Sequence, residues 1–134
     1  MKSPVTNRAA SVRERLYRQA RSSRSDFQLL LVRYANERLL YRLAQSAHAS
    51  SFALKGATLF TLWAGTPHRA TRDLDLLGFG DDGVETLRAV FSDVLAIEVH
   101  DGVLFDLASL YDLMFWFCLF STHTTILFHE VHPH

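Results

Sequence analysis

The chain has 134 residues, enough to enclose one hydrophobic core and too few for two ordinary domains. Its 49% hydrophobic and 21% charged residues match a water-soluble globular protein. The lone cysteine, Cys118, excludes an internal disulfide and a metal site built from thiolates, and Met1 to Ala10 lack the apolar run of a secretory signal, so a cytoplasmic location is expected.

A net charge of zero hides a steep gradient. Residues 1–50 carry ten Lys/Arg against three acids, residues 51–100 four against seven, and residues 101–134 four acids with no Lys or Arg. A basic N-terminal arm (residues 1–24) beside an acidic centre suits a protein that holds a metal centrally and meets a polyanion at its edge. The alternative is a solvated, arginine-rich helix surface.

In chain order, Val12 to Ala20 predicts a short helix broken near Ser22-Ser23-Arg24-Ser25. Ser25-Asp26-Phe27-Gln28 fits a capping box led by Ser25, opening a helix that runs to about Ser46. Phe27, Leu30, Leu31, Tyr34 and Tyr41 form its apolar stripe, widened by Leu39, Leu40 and Leu43. A strand is expected over Ser51 to Leu54, then a turn at Lys55-Gly56 and a buried helix over Ala57 to Ala64. Gly65 and Pro67 end that helix.

A second strand is expected over Leu74 to Phe79, beginning near Arg72, and an amphipathic helix over Val84 to Leu95. Ile97 to Val99 and Val103 to Phe105 flank Asp101-Gly102, which predicts a hairpin. This order gives an α+β or mixed α/β domain, with α+β preferred: N-terminal helices followed by a core with a mixed sheet, over about residues 25–110.

The chemistry-bearing residues lie between the first strand and the second. Residues two apart on a strand share a face, so Asp73 and Asp75 project together while Leu74 and Leu76 turn toward the core. Two neighbouring carboxylates repel unless a cation lies between them, and hard oxygen ligands suit Mg²⁺ or Mn²⁺. An acidic pair facing solvent is the plain alternative.

Upstream, the strand ends at Lys55-Gly56 and a helix begins at Ala57 or Thr58. The free amides and dipole of a helix N-terminus attract phosphate. Gly56 admits close backbone approach, and the Thr58 hydroxyl adds either a hydrogen bond or a cap. Lys55 reads as a phosphate contact or as a surface lysine beside a tight turn. Arg69 and Arg72 are placed to meet phosphates, or solvent.

The segment Phe52 to Asp82, with Lys55-Gly56-Ala57-Thr58 and Arg69-Ala70-Thr71-Arg72-Asp73-Leu74-Asp75-Leu76, resembles the AbiEii/AbiGii nucleotidyltransferase toxins. These belong to the polymerase-β-like superfamily and are the toxic halves of type IV toxin–antitoxin systems. Arg33-Tyr34 and Glu37-Arg38-Leu39-Leu40 also look like that family's N-terminal helix, and the resemblance spans roughly residues 8–110. It implies a polymerase-β-like core and transfer of a nucleotidyl group from an NTP to a hydroxyl of RNA, such as tRNA, or of a protein.

By the same resemblance, Asp73 and Asp75 hold the metal and act catalytically, while Lys55, Gly56, Thr58, Arg69 and Arg72 bind nucleotide phosphates. A cognate antitoxin is the implied protein partner. Ala57 stands where the family has a second glycine. A third carboxylate on a later strand is expected by the superfamily, and only Asp101 and Asp106 remain as central candidates, Asp101 better suited to the hairpin turn. The alternative function is therefore a truncated, inactive remnant that at most binds nucleotide or an antitoxin.

Residues 111–134 form an apolar tail. Leu113 to Phe128 are apolar over sixteen residues, short of the roughly 20 that a bilayer span needs, so no membrane partner is expected. Arg88 is the last basic residue, 46 positions from the end, a composition that reads as non-native or frame-shifted sequence. Sequencing the gene locus tests this; an adjacent frame without coding potential would contradict it. His123, His129, His132 and His134 in this tail make a weak zinc candidate, His48 and His100 lack evident partners, and Cys118 among aromatics reads as inert.

Overall fold

The computed structural model describes residues 8–65 and 74–105. Its elements run α1 (Arg8–Ser23), α2 (Phe27–Gln45), a single 3₁₀ turn (Ala49–Ser51), β1 (Phe52–Lys55), α3 (Gly56–Ala64), β2 (Asp75–Gly78) and α4 (Val84–Leu95).

The first helix is longer than its apolar pattern suggests, because arginine and glutamine sustain helix without a buried stripe. It buries only Val12 and Ala20, and packs on α2. Arg24 closes it in the left-handed region at φ 53°, and the Ser25 N–H donates back to the Ala20 carbonyl at 2.9 Å.

The helix cap falls one residue later than expected. Asp26, not Ser25, is the N-cap of α2, and its carboxylate accepts from the Gln28 N–H at 2.8 Å. The Ser25 hydroxyl instead shares a hydrogen bond with the Ser23 hydroxyl, and the Asp26 carboxylate reaches the second helical amide. The buried side of α2 comprises Leu30, Val32, Ala35, Asn36, Leu39, Arg42 and Leu43. Tyr41 is exposed, so the stripe expected through Tyr34 and Tyr41 is displaced toward Leu39 and Leu43.

Leu39 and Leu43 of α2, Leu74 and Leu76 at β2, and Leu87, Phe91 and Val94 of α4 make one core cluster. Each contribution follows its element's period: i and i+4 on α2, i and i+2 at β2, and i, i+4 and i+7 on α4. Phe52 closes the β1 side, its ring centroid 5.5 Å from that of Phe91. Fully burying such side chains contributes roughly 1.5–3 kcal/mol each.

The described strands form a two-stranded antiparallel sheet, with Phe52 opposite Gly78, Ala53 opposite Leu77, Leu54 opposite Leu76 and Lys55 opposite Asp75. The sheet expected to be mixed is, among the described residues, this antiparallel pair within an α+β arrangement. Val84–Leu95 matches expectation at both ends. The Asp81 carboxylate ties down the approach to α4, accepting from the Gly83 N–H at 2.8 Å and the Thr86 hydroxyl at 2.7 Å.

Two expectations fail. No hairpin forms around Asp101-Gly102, because the flanking residues serve the interior of α2 instead of pairing with each other. The helix over residues 56–64 is not buried: Phe60, Leu62 and Trp63 are 65%, 64% and 76% exposed. No helix among the described residues is long and apolar enough to cross a membrane. Residues 106–134, with the apolar tail, its histidines, Cys118 and Asp106, lie outside the described residues.

Candidate active site

The β1–α3 junction carries the candidate site. Lys55 ends the strand in extended geometry (φ −137°, ψ 178°) and is also the N-cap of α3. A lysine cannot accept a hydrogen bond, and α3 has no side-chain cap. The first-turn amides of a helix have no intrahelical acceptor, and the helix dipole adds partial positive charge at that end.

Gly56 joins strand to helix at φ +75°, a conformation that favours glycine. A second constraint acts on the same atom. A Cβ built on Gly56 would fall on the Asp75 carboxylate oxygen Oδ2, with Asp75 Cγ at 3.1 Å and Cβ at 3.2 Å. The Asp75 side chain therefore lies directly over the start of α3. The antiparallel register produces this, because it sets Asp75 opposite Lys55, one residue before the turn. Directly opposed residues project to the same face, so the site brings one carboxylate and one ammonium side chain to a helix N-terminus.

Leu74 and Leu76, at 0% and 1% exposure, anchor β2 in the core and turn the intervening Asp75 away from it. Asp75 is half-buried, and its side chain makes no hydrogen bond or ion pair among the described residues. A carboxylate held by a rigid strand without a protein partner is a fitting donor for a hard divalent cation. Thr58 lies in the first turn of α3, half-buried. Lys55, Gly56, Thr58 and Asp75 are thus gathered at one junction; Asp73, Arg69 and Arg72 lie outside the described residues. No three of His, Cys, Asp and Glu converge as a metal site among the described residues.

Two other acids, Asp81 and Asp101, are engaged elsewhere. Asp81 has its pKa lowered by the hydrogen bonds from Thr86 and Gly83 that make it a turn anchor. Asp101 is the larger surprise. It is buried, and its carboxylate accepts from Arg42 Nη1 at 2.8 Å, Arg42 Nη2 at 3.1 Å and Arg38 Nε at 2.7 Å. The Val103 N–H donates to it at 3.0 Å, and the Tyr34 hydroxyl donates to its backbone carbonyl at 2.8 Å. Burial acts to raise its pKa, but the Arg42 and Arg38 hydrogen bonds, the Val103 amide and the Arg42 charge together hold it below the ordinary value.

Asp101 is therefore a structural anchor. Two arginines counted in the basic N-terminal segment serve this interior: Arg42 is 2% exposed and also donates to the Ile97 and Val103 carbonyls. His48 likewise has a partner that sequence reading did not find, with its Nε2 2.9 Å from Asp93 Oδ2. Sequence separations of 59 and 45 residues hide both pairings.

Against known proteins, the family model of the nucleotidyl transferase AbiEii toxin, type IV TA system, matches residues 38–115. No curated protein and no solved structure matches the chain. The match begins on α2 at Arg38 and takes in the whole β1–α3–β2 junction.

Proposed function

The chain belongs to the AbiEii nucleotidyl transferase toxin family of type IV toxin–antitoxin systems, and from that premise we propose that the Gly56/Asp75 junction is its nucleotidyl-transfer site. The observation that carries this reading is the uncommitted Asp75 carboxylate lying on the N-terminus of α3.

In the proposed reaction a hydroxyl oxygen of RNA, such as tRNA, or of a protein attacks the α-phosphorus of an NTP. The new oxygen–phosphorus bond replaces the bond to the bridging oxygen, pyrophosphate leaves, and the hydroxyl proton passes to solvent. The Gly56 turn and first-turn amides of α3 receive phosphate oxygens, helped by the Thr58 hydroxyl, and Lys55 balances negative charge beside them. Asp75 would hold a divalent cation, with Asp73, two residues earlier, as its sequence-predicted companion. A bound Mg²⁺ or Mn²⁺ supplies neutralisation of triphosphate charge. Arg69 and Arg72 are proposed to contact the phosphates. A cognate antitoxin is the proposed protein partner.

The test is transfer of label from α-phosphate-labelled NTPs, with Mg²⁺, to total tRNA or to protein. Asp75→Ala and Asp73→Ala are expected to abolish transfer while leaving the fold intact by circular dichroism. Nucleotide binding without transfer by the unaltered chain would favour a binding-only protein. Full transfer by Asp75→Ala would remove the assignment of this site.

A further inference from the structure

Helix α1 lies outside the family match and carries five arginines, Arg8, Arg13, Arg15, Arg18 and Arg21, against one acid, Glu14. All five are exposed. At 100° per residue, Arg15, Arg18 and Arg21 line one face, opposite the face of Val12 and Ala20 that packs on α2. Their spacing of three residues sets successive guanidiniums about 4.5 Å apart along the axis.

Arg8, Arg13, Arg15 and Arg21 have no ion pair among the described residues; Arg18 is held by Glu14 at 2.9 Å, an exposed contact that solvent and competing anions readily loosen. Two of the α1 arginines also lie against aromatic rings. The Arg21 guanidinium lies 5.9 Å from the ring centre of Tyr17, which is 45% exposed, and Arg13 lies 5.2 Å from that of Phe27. Arg24 extends the row past the helix end in a left-handed conformation where glycine or asparagine is the ordinary choice. An arginine row interleaved with an accessible ring matches a phosphate backbone with a base able to stack, and a carboxylate-bearing partner makes no use of the ring.

We infer that the solvent face of α1, centred on Arg15, Arg18 and Arg21, is a docking surface for the backbone of a nucleic-acid strand. The inference deepens the proposed function by naming where the acceptor strand rests, and is testable without nucleotide or metal, so either reading can fail alone.

The measurement is fluorescence anisotropy of a labelled oligouridylate of about 20 nucleotides against the full chain over a salt series. Neutralising the three arginines in R15Q/R18Q/R21Q is expected to flatten the plot of log K against log salt by about 2, from about 0.7 per phosphate contact on single strands. Between about 50 and 200 mM salt, the unaltered chain should then lose roughly 20-fold more affinity than the triple variant. Glu14→Gln frees Arg18 and is expected to act in the opposite sense, tightening binding and steepening the slope, an outcome that misfolding does not produce. An unchanged slope in the triple variant, weaker binding by Glu14→Gln, or tighter binding of a polyglutamate of equal charge would each overturn the inference; the last would identify an acidic protein partner.

Discussion

At Gly56 a positive φ and a carboxylate meet on one atom. Gly56→Ala adds a methyl where Asp75 Oδ2 lies, in a backbone region costing about 1 kcal/mol or more for a residue with a side chain. The expected result is a loss of at least about 1 kcal/mol in urea denaturation, and displacement of Asp75 from the junction. Full stability would show that Asp75 does not lie over the turn. Asp101 offers a second test at this scale. Arg42→Ala leaves a buried carboxylate short of its principal partner, and a loss of about 3–5 kcal/mol is expected, read from the same denaturation curves. Because the folded pKa of Asp101 is depressed, its stabilisation is present above the pKa of the unfolded chain and is lost as pH falls through the folded value. As pH falls from about 5 to below the folded pKa of Asp101, the unaltered chain should therefore lose stability more steeply than Asp101→Asn. Parallel curves would contradict the assignment.

At the scale of elements, the cap of α2 separates two readings of one tetrapeptide. Asp26→Ala is expected to cost about 1 kcal/mol and Ser25→Ala less than about 0.5, because the Gln28 amide is satisfied by Asp26 alone. Equal losses would restore Ser25 as the cap. This case also shows what the sequence makes legible. Local signals placed α2, β1, α3, β2 and α4 within a few residues, since period, capping residues and Gly65 act over one or two turns. Gly65 indeed ends α3 at φ 68°. The alternation at Leu74 and Leu76 also gave the orientation of Asp75. What stayed hidden depends on register and distance. The pairing of Lys55 with Asp75 puts the carboxylate over Gly56, and nothing in either segment states that register. Asp101-Gly102 carries a strong hairpin signal, yet the demand of buried Arg42 for acceptors outweighs it. The apolar content of α3 suggested burial, but composition does not say whether a neighbour covers Phe60 and Trp63.

For the molecule as a whole, charge and fold divide the labour along the chain. The α2–β2–α4 core holds the β1–α3 turn against Asp75, while α1 presents its arginines away from that core. If the Gly56/Asp75 junction gathers divalent metal and phosphate, paramagnetic broadening of backbone amide signals during a Mn²⁺ titration will locate the ion there. The amides of Gly56, Thr58 and Asp75 are expected to broaden first, and Asp75→Asn to abolish that effect. First broadening at the acidic turn of Asp81 and Asp82, with the Gly56 and Asp75 signals untouched, would contradict the account.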